Sequence, residues 1–261
     1  MNLLIKGIFD PFNNIDLKYI IDIYKNNKYN KIYIESTSNN KVRANKIIKS
    51  YIYRFNYFDI YNKQEIHETI IYNKEIIYDK YLLVNQDKKS MHIITKNLYY
   101  FKDIIKTMMD EKRYNHTIAV CDLAYKLAKK HKLNPNKAYL MGLLHDCSKQ
   151  ALDNKEIMHK YYNEYIHLSD NIYHQYTGEY YCKKYFNIYD KDILNAILGH
   201  TLHTDNSLYG MILYIADKAE ITRKYDTTKY ISVSMNNLYK GFELIKKDSD
   251  MIYNEKKMVT K

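Results

Sequence analysis

"YLMGLLHDCSKQ", residues 139–150, poses the question on which the fold turns. An apolar run of helical character stops at His145 and Asp146, side by side, and a thiol, a hydroxyl and a lysine follow at once. Ala138, Met141 and His145 are spaced at helical intervals, so His145 continues an inward-facing stripe. A solvated helix end would account for one such pair. A single histidine on an apolar face is more often a hydrogen-bonded core residue than a ligand.

The same pattern recurs further along the chain. His116 lies at the start of a periodic segment, 115–131. His174 and Gly178 are four apart and share a helical face. Ile193, Ile197 and His200 form one stripe, and Gly210, Leu213 and Asp217 form another. Each polar residue stands where a core residue is expected. Several buried imidazoles and carboxylates in one bundle are costly unless something pairs with them. A shared metal centre supplies that partner, and mixed imidazole and carboxylate donors suit iron, manganese or zinc. Six ligands exceed what one ion with an open position needs. Two divalent ions about 3.5–4 Å apart, bridged by one carboxylate, fit better, and Asp146 is the candidate bridge. Such ions make hydroxide available near neutral pH as a nucleophile. Attack at phosphorus also needs cations around the developing charge, for which Lys149, Arg113 and Arg223 are placed.

Working outward, the 261 residues suffice for one large or two small domains, and 46% hydrophobic residues can supply a core. The composition is skewed, with 31 Tyr, no Trp and abundant Ile, Lys and Asn, the mark of an AT-rich genome. That bias accounts for the net charge of +11, so no nucleic-acid partner is inferred from it. Three cysteines, Cys121, Cys147 and Cys182, show no paired spacing, which argues against a disulfide framework. The opening "MNLLIKGIFDPF" is too short an apolar patch for a signal peptide, and no window reaches the ~20 apolar residues a membrane span needs. The expectation is a cytoplasmic chain with no membrane partner.

Residues 1–100 alternate strand-like and helix-like segments: "NLLIKGIF", "DLKYIIDIYKNN", "KIYIES" (31–36), "NKVRANKIIKSYIYRF" and "YFDIYN". From about 101 only helical patterns occur: 115–131, a segment opening at Asn134 and Pro135, 169–186, 190–200, 207–221 and about 236–253. Nine of the ten histidines lie beyond residue 90, which assigns the metal chemistry to this second part.

The motifs "RYNHT" (113–117), "GLLHDCSK" (142–149), "HQYTG" (174–178), "GHT" (199–201) and "LYIADKAEITR" (213–223) resemble, in order, those of the HD-domain symmetrical diadenosine-tetraphosphatases of the YqeK type. The resemblance implies that His116, His145, Asp146 and Asp217 hold one metal. It implies that His174 and His200 hold a second, with Asp146 bridging. It further implies a di-iron centre, with diadenosine tetraphosphate cut into two ADP. Asp146 and Lys149 are then the catalytic candidates, and Arg113, Lys149, Thr201 and Arg223 the candidate substrate contacts. Related phosphatases imply a homodimer. "TLHTDN" after His200 departs from the family's usual Thr-Gly-Arg run.

"KGIFDPFNNIDL" (6–17) resembles the opening of the nicotinate-mononucleotide adenylyltransferases. Asn13, Asn14, Ile15 and Asp16 stand where that family has His-x-Gly-His. "IHETIIY" (66–72) resembles a second motif, with His67 for its Ser and Tyr72 for its Arg, and "KNLYY" (96–100) resembles the closing segment. The expected architecture is therefore multidomain: a small Rossmann-like nucleotidyltransferase-type α/β domain over 1–100, shortened and without its phosphate-binding residues, then an all-helical HD domain over 101–261. The alternatives left open are an HD hydrolase of another nucleotide phosphoester, a bifunctional chain that still makes the dinucleotide, and a nucleotide sensor without turnover.

Overall fold

A computed structural model describes residues 1–259. The chain divides into two compact units, Met1–Tyr100 and Phe101–Lys261. Among the described residues, no helix is long and apolar enough to cross a membrane.

The first unit is built on a parallel sheet. Its elements are β1 (Asn2–Gly7), α1 (Asn14–Asn26), β2 (Lys31–Ser36), α2 (Lys41–Ile52), β3 (Phe58–Ile60), β4 (Glu68–Tyr72) and α3 (Lys88–Asn97). Strand order is β3-β2-β1-β4, with every pair parallel. Leu3, Leu4 and Ile5 of β1 are buried in succession, as are Ile32, Tyr33 and Ile34 of β2. Such runs mark central strands covered on both faces. Leu3 aligns with Ile32 on one side and Glu68 on the other. Helix α1 starts at a capping box: the Asn13 side chain accepts from the Ile15 and Asp16 amides, and Asp16 accepts from the Asn13 amide at 2.9 Å. Nearby, Arg43 donates to both oxygens of buried Asp10, at 2.9 and 2.6 Å, while the Ser38 and Tyr100 hydroxyls donate to the same carboxylate.

The second unit is helical: α4 (Phe101–Thr107), α5 (Glu111–Lys130), α6 (Pro135–Leu144), α7 (Asn154–Tyr161), α8 (Tyr173–Phe186), α9 (Lys191–Gly199), α10 (Leu208–Ala219), α11 (Thr228–Asn236) and α12 (Leu238–Val259). Caps fix most of the starts. Asn134 caps α6 ahead of Pro135, Asp190 caps α9, and Ser207 caps α10. Helices α5 and α6 pack closely because Gly142 lies against α5, where a Cβ would stand 2.9 Å from the Cys121 Cα. That approach brings the start of α5 and the end of α6 to one place, and with them His116 and His145.

Several boundaries differ from the sequence expectation, each for a local reason. Helix α5 begins at Glu111, four residues early, because the Asp110 side chain accepts from the Arg113 amide at 2.7 Å. The segment expected as a helix from 169 opens with a 3₁₀ turn, Asp170–Ile172, capped by Ser169. Helix α10 stops at Ala219, and Glu220 is extended. The helix expected over about 236–253 is α12, and a further helix, α11, precedes it, the two separated at Asn237, whose backbone is extended. Here α11 folds back against α12 at Gly241, where a Cβ would lie 2.0 Å from the Ser234 hydroxyl. Helices α3, α4, α7 and α11 were not anticipated.

Candidate metal centre

The pair that ends α6 is not solvated: His145 is 0% and Asp146 3% exposed. The structure brings His116 from α5, His145 and Asp146 from the end of α6, His174 from α8, His200 from the end of α9 and Asp217 from α10 into one buried cluster. Potential donor atoms of His116, His145 and Asp217 lie within 4.8 Å of one another, and those of Asp146, His174 and His200 do likewise. Asp146 faces both groups. Its Oδ2 lies 3.4 Å from His145 Nε2 and 3.9 Å from His116 Nε2. Its Oδ1 lies 3.3 Å from His174 Nε2 and 3.8 Å from His200 Nε2.

The outer nitrogens of the imidazoles are held so that Nε2 points inward. His145 Nδ1 meets the Gly142 carbonyl and His200 Nδ1 the Ile197 carbonyl, each at 2.7 Å. His116 Nδ1 meets Glu220 Oε1 at 3.0 Å. A ring N–H given to a carbonyl or carboxylate leaves the opposite nitrogen with a free lone pair, the state of a metal ligand. The inward His116 and His145 Nε2 atoms are buried and make no hydrogen bond among the described residues. His174 and His200 bring their Nε2 atoms to 3.1 Å of each other. Buried nitrogens without hydrogen atoms to share, converging on carboxylate oxygens, fit divalent ions.

The electrostatics agree. Burial lowers His174 well below its ordinary value, reinforced by His200, and brings His200 to about 4, so both rings are neutral. For His145, burial opposes charge, but the Asp146 and Asp217 carboxylates outweigh it and raise the ring. Burial alone would raise Asp146 and Asp217. Instead His145 beside Asp146, and Lys218, His116, His145 and Arg223 around Asp217, hold both well below the usual carboxylate range.

Cations border the cluster. Arg113 Nη1 donates to Asp146 Oδ2 at 2.8 Å, and Arg223 Nη2 to Asp217 Oδ1 at 2.8 Å. Lys149 Nζ lies 3.0 Å from the Asn171 carbonyl and from His174 Nδ1, and burial lowers its pKa. Thr201 Oγ1 lies 3.3 Å from His174 Nε2 and 3.2 Å from His200 Nε2. Every residue singled out from the sequence is thus at the cluster or touching it. Cys147 is buried with its Sγ 3.9 Å from the Gly178 carbonyl.

Two contributors were missed. Glu220, 1% exposed, supports His116 and forms an ion pair with Arg223, its Oε1 lying 3.3 Å from Nε. Lys218 Nζ donates to Asp217 Oδ2 at 3.0 Å. Both lie inside "DKAEITR"; Glu220, three residues past Asp217, shares its stripe and was passed over, and one lysine among many carries no signal.

Comparison with known proteins follows the geometry. The HD domain family model matches residues 113–221. A symmetrical bis(5'-nucleosyl)-tetraphosphatase of Halalkalibacterium halodurans is 33% identical over 130 residues, covering 47% of this chain and 68% of that protein. The chain belongs to the HD-domain hydrolase family. Another relative, a probable nicotinate-nucleotide adenylyltransferase/Ap4A hydrolase of Mycoplasma genitalium, is 34% identical over 158 residues, 55% of this chain and 44% of that one. The chain thus matches less than half the length of that relative. A solved HD superfamily hydrolase involved in NAD metabolism, from Clostridium acetobutylicum, is 31% identical with a TM-score of 0.53, covering 60% of this chain and 86% of that one.

Removing the Glu220 carboxylate while leaving the ligands intact should loosen His116. Glu220→Ala is expected to weaken manganese binding about 10- to 100-fold by calorimetric titration. Affinity equal to that of the unchanged protein would show that His116 needs no such support.

Proposed function

We propose that this HD hydrolase is a metal-dependent phosphohydrolase that cleaves diadenosine tetraphosphate symmetrically, water and substrate giving two ADP. The observation that carries the reading is the pair of buried donor groups facing the two oxygens of Asp146. In this reading His116, His145, Asp146 and Asp217 hold one ion, and Asp146, His174 and His200 hold the other. Iron is the metal we assign, with manganese or zinc as alternatives compatible with the donors. When bound, such a pair supplies Lewis acidity and ionises water near neutral pH.

The chain's own residues do the rest. The imidazole Nδ1 contacts fix ring orientation before substrate arrives, so little reorganisation is needed at the reacting phosphorus. Arg113, Lys149 and Arg223 border the cluster, where phosphate oxygens gain charge. Thr201, with its hydroxyl beside His174 and His200, is a further contact. A highly anionic substrate fits this ring of cations, and the tetraphosphatase named among the relatives supports the choice. A homodimer in the cytoplasm is the state we assign to it.

We also propose that the first unit, residues 1–100, is a shortened nucleotidyltransferase-like domain that does not transfer adenylate. Where the related enzymes present imidazoles, Asn13 caps α1 and Asp16 is fully buried, paired with Lys74 Nζ at 2.8 Å. Tyr72, in place of a phosphate-binding arginine, stacks on Tyr19 at 4.4 Å and on Phe9 at 5.5 Å. None of these groups is free to stabilise a triphosphate. The name of the Mycoplasma genitalium relative favours a second, bifunctional reading, against which these substitutions stand.

Incubating the purified chain with diadenosine tetraphosphate and iron or manganese should yield ADP as the sole product. ATP plus AMP, or no turnover by metal-replete protein, would contradict the assignment. With ATP and nicotinate mononucleotide, no dinucleotide is expected by chromatography, and its formation at an enzymatic rate would overturn the reading of the first unit.

A further inference from the structure

The segment that follows Asp217 is ordered by contacts of its own and carries a feature that metal binding does not use. Helix α10 ends at Ala219, and the chain runs through Glu220, Ile221, Thr222, Arg223, Lys224, Tyr225 and Asp226 to α11. The Glu220 carboxylate closes its first turn, accepting from the Thr222 amide and, at 2.8 Å, from the Thr222 hydroxyl. The Arg223 amide donates to the Glu220 carbonyl at 3.2 Å. Asp226 Oδ1 accepts from the Thr228 amide at 2.9 Å and fixes the far end.

Between these anchors Tyr225 donates its hydroxyl to the carbonyl of Lys218, the residue beside Asp217. The polar end of the side chain is therefore engaged, yet 51% of the residue remains exposed. No other ring or cation packs on it among the described residues. Ile221, one helical turn's spacing earlier in the segment, is 88% exposed. Held by its hydroxyl, Tyr225 leaves half of its surface open in the segment that carries Arg223 and follows Lys218, both of which contact Asp217.

We propose that Tyr225 is a stacking platform for the base of a nucleotide whose phosphates lie at the metal centre. The segment presents, in chain order, a metal-ligand carboxylate, two cations on that carboxylate and a fixed aromatic ring. A nucleoside polyphosphate has the matching order: anionic phosphates, a sugar, then a planar base. Stacking is tolerant of base identity, because every base has a π-face. The ring thus selects nucleotides over inorganic polyphosphate rather than adenine over guanine. Fixing the ring in advance lowers the ordering cost of binding. The inference deepens the nucleotide-hydrolase reading and assigns Tyr225 a role in specificity.

The test uses the full chain, saturated with manganese, and two probes that the proposed reaction does not consume: ADP and inorganic pyrophosphate. By calorimetry, Tyr225→Ala should weaken ADP about tenfold and leave pyrophosphate within about twofold. Tyr225→Phe, which keeps the ring, should bind ADP within about threefold of the unchanged protein. Unaltered ADP affinity in Tyr225→Ala, an equal loss for both probes, or a Tyr225→Phe protein as weak as Tyr225→Ala would each overturn the platform. The outcome is separable from that of the reaction. A chain that binds ADP through Tyr225 but does not cut diadenosine tetraphosphate keeps the platform and loses the hydrolase. Cleavage with ADP binding insensitive to Tyr225 does the reverse.

Discussion

A carboxylate buried as deeply as Asp146 would cost several kcal/mol if its charge stood alone, and the helical unit is arranged to meet that charge on both sides. One oxygen faces His145 and His116, the other His174 and His200, while Arg113 donates from the rim. These partners come from α5, α8 and α9 as well as from the end of α6 itself. Displacing Asp146 would therefore disturb four separate helices at once. Burial disfavours charge on His174 and His200, while His145 on the other side holds the Asp146 carboxyl well below its usual range.

The loop after Asp146 is secured by a polar network in the core. Ser148 Oγ meets the His174 carbonyl at 3.1 Å and Thr177 Oγ1 at 2.8 Å, and Asn154 bonds both the Ser148 carbonyl and Thr177. Each buried hydroxyl has a partner, which is the condition for such a network to add rigidity rather than cost. It links the turn carrying Asp146 directly to α8, the helix carrying His174. The two donor groups are thereby held in register by contacts that need no ion.

Much of this site was legible in the sequence, because His145, His200 and Asp217 extend apolar stripes, and a polar residue on an inward stripe must have a buried partner. The parallel sheet was legible too, from the alternation of strand-like and helix-like segments over residues 1–100. Glu220 was not singled out, since its partner His116 lies 104 residues away and no local pattern pairs them. Helix α11 was not legible either: its place against α12 is set by the close approach of Gly241 to Ser234, a contact between residues seven apart. The role of Asp16 was legible only in part. Its identity argued against a phosphate contact, but its capture by Lys74 depends on a partner 58 residues away.

The account stands on two ions sharing Asp146. Metal content per chain, measured by inductively coupled plasma mass spectrometry on protein purified without chelator and reconstituted anaerobically with iron, tests this most directly. Two ions per chain are expected in the unchanged protein, and loss of both in Asp146→Ala. One ion per chain, or two retained without the Asp146 carboxylate, would contradict a shared bridge.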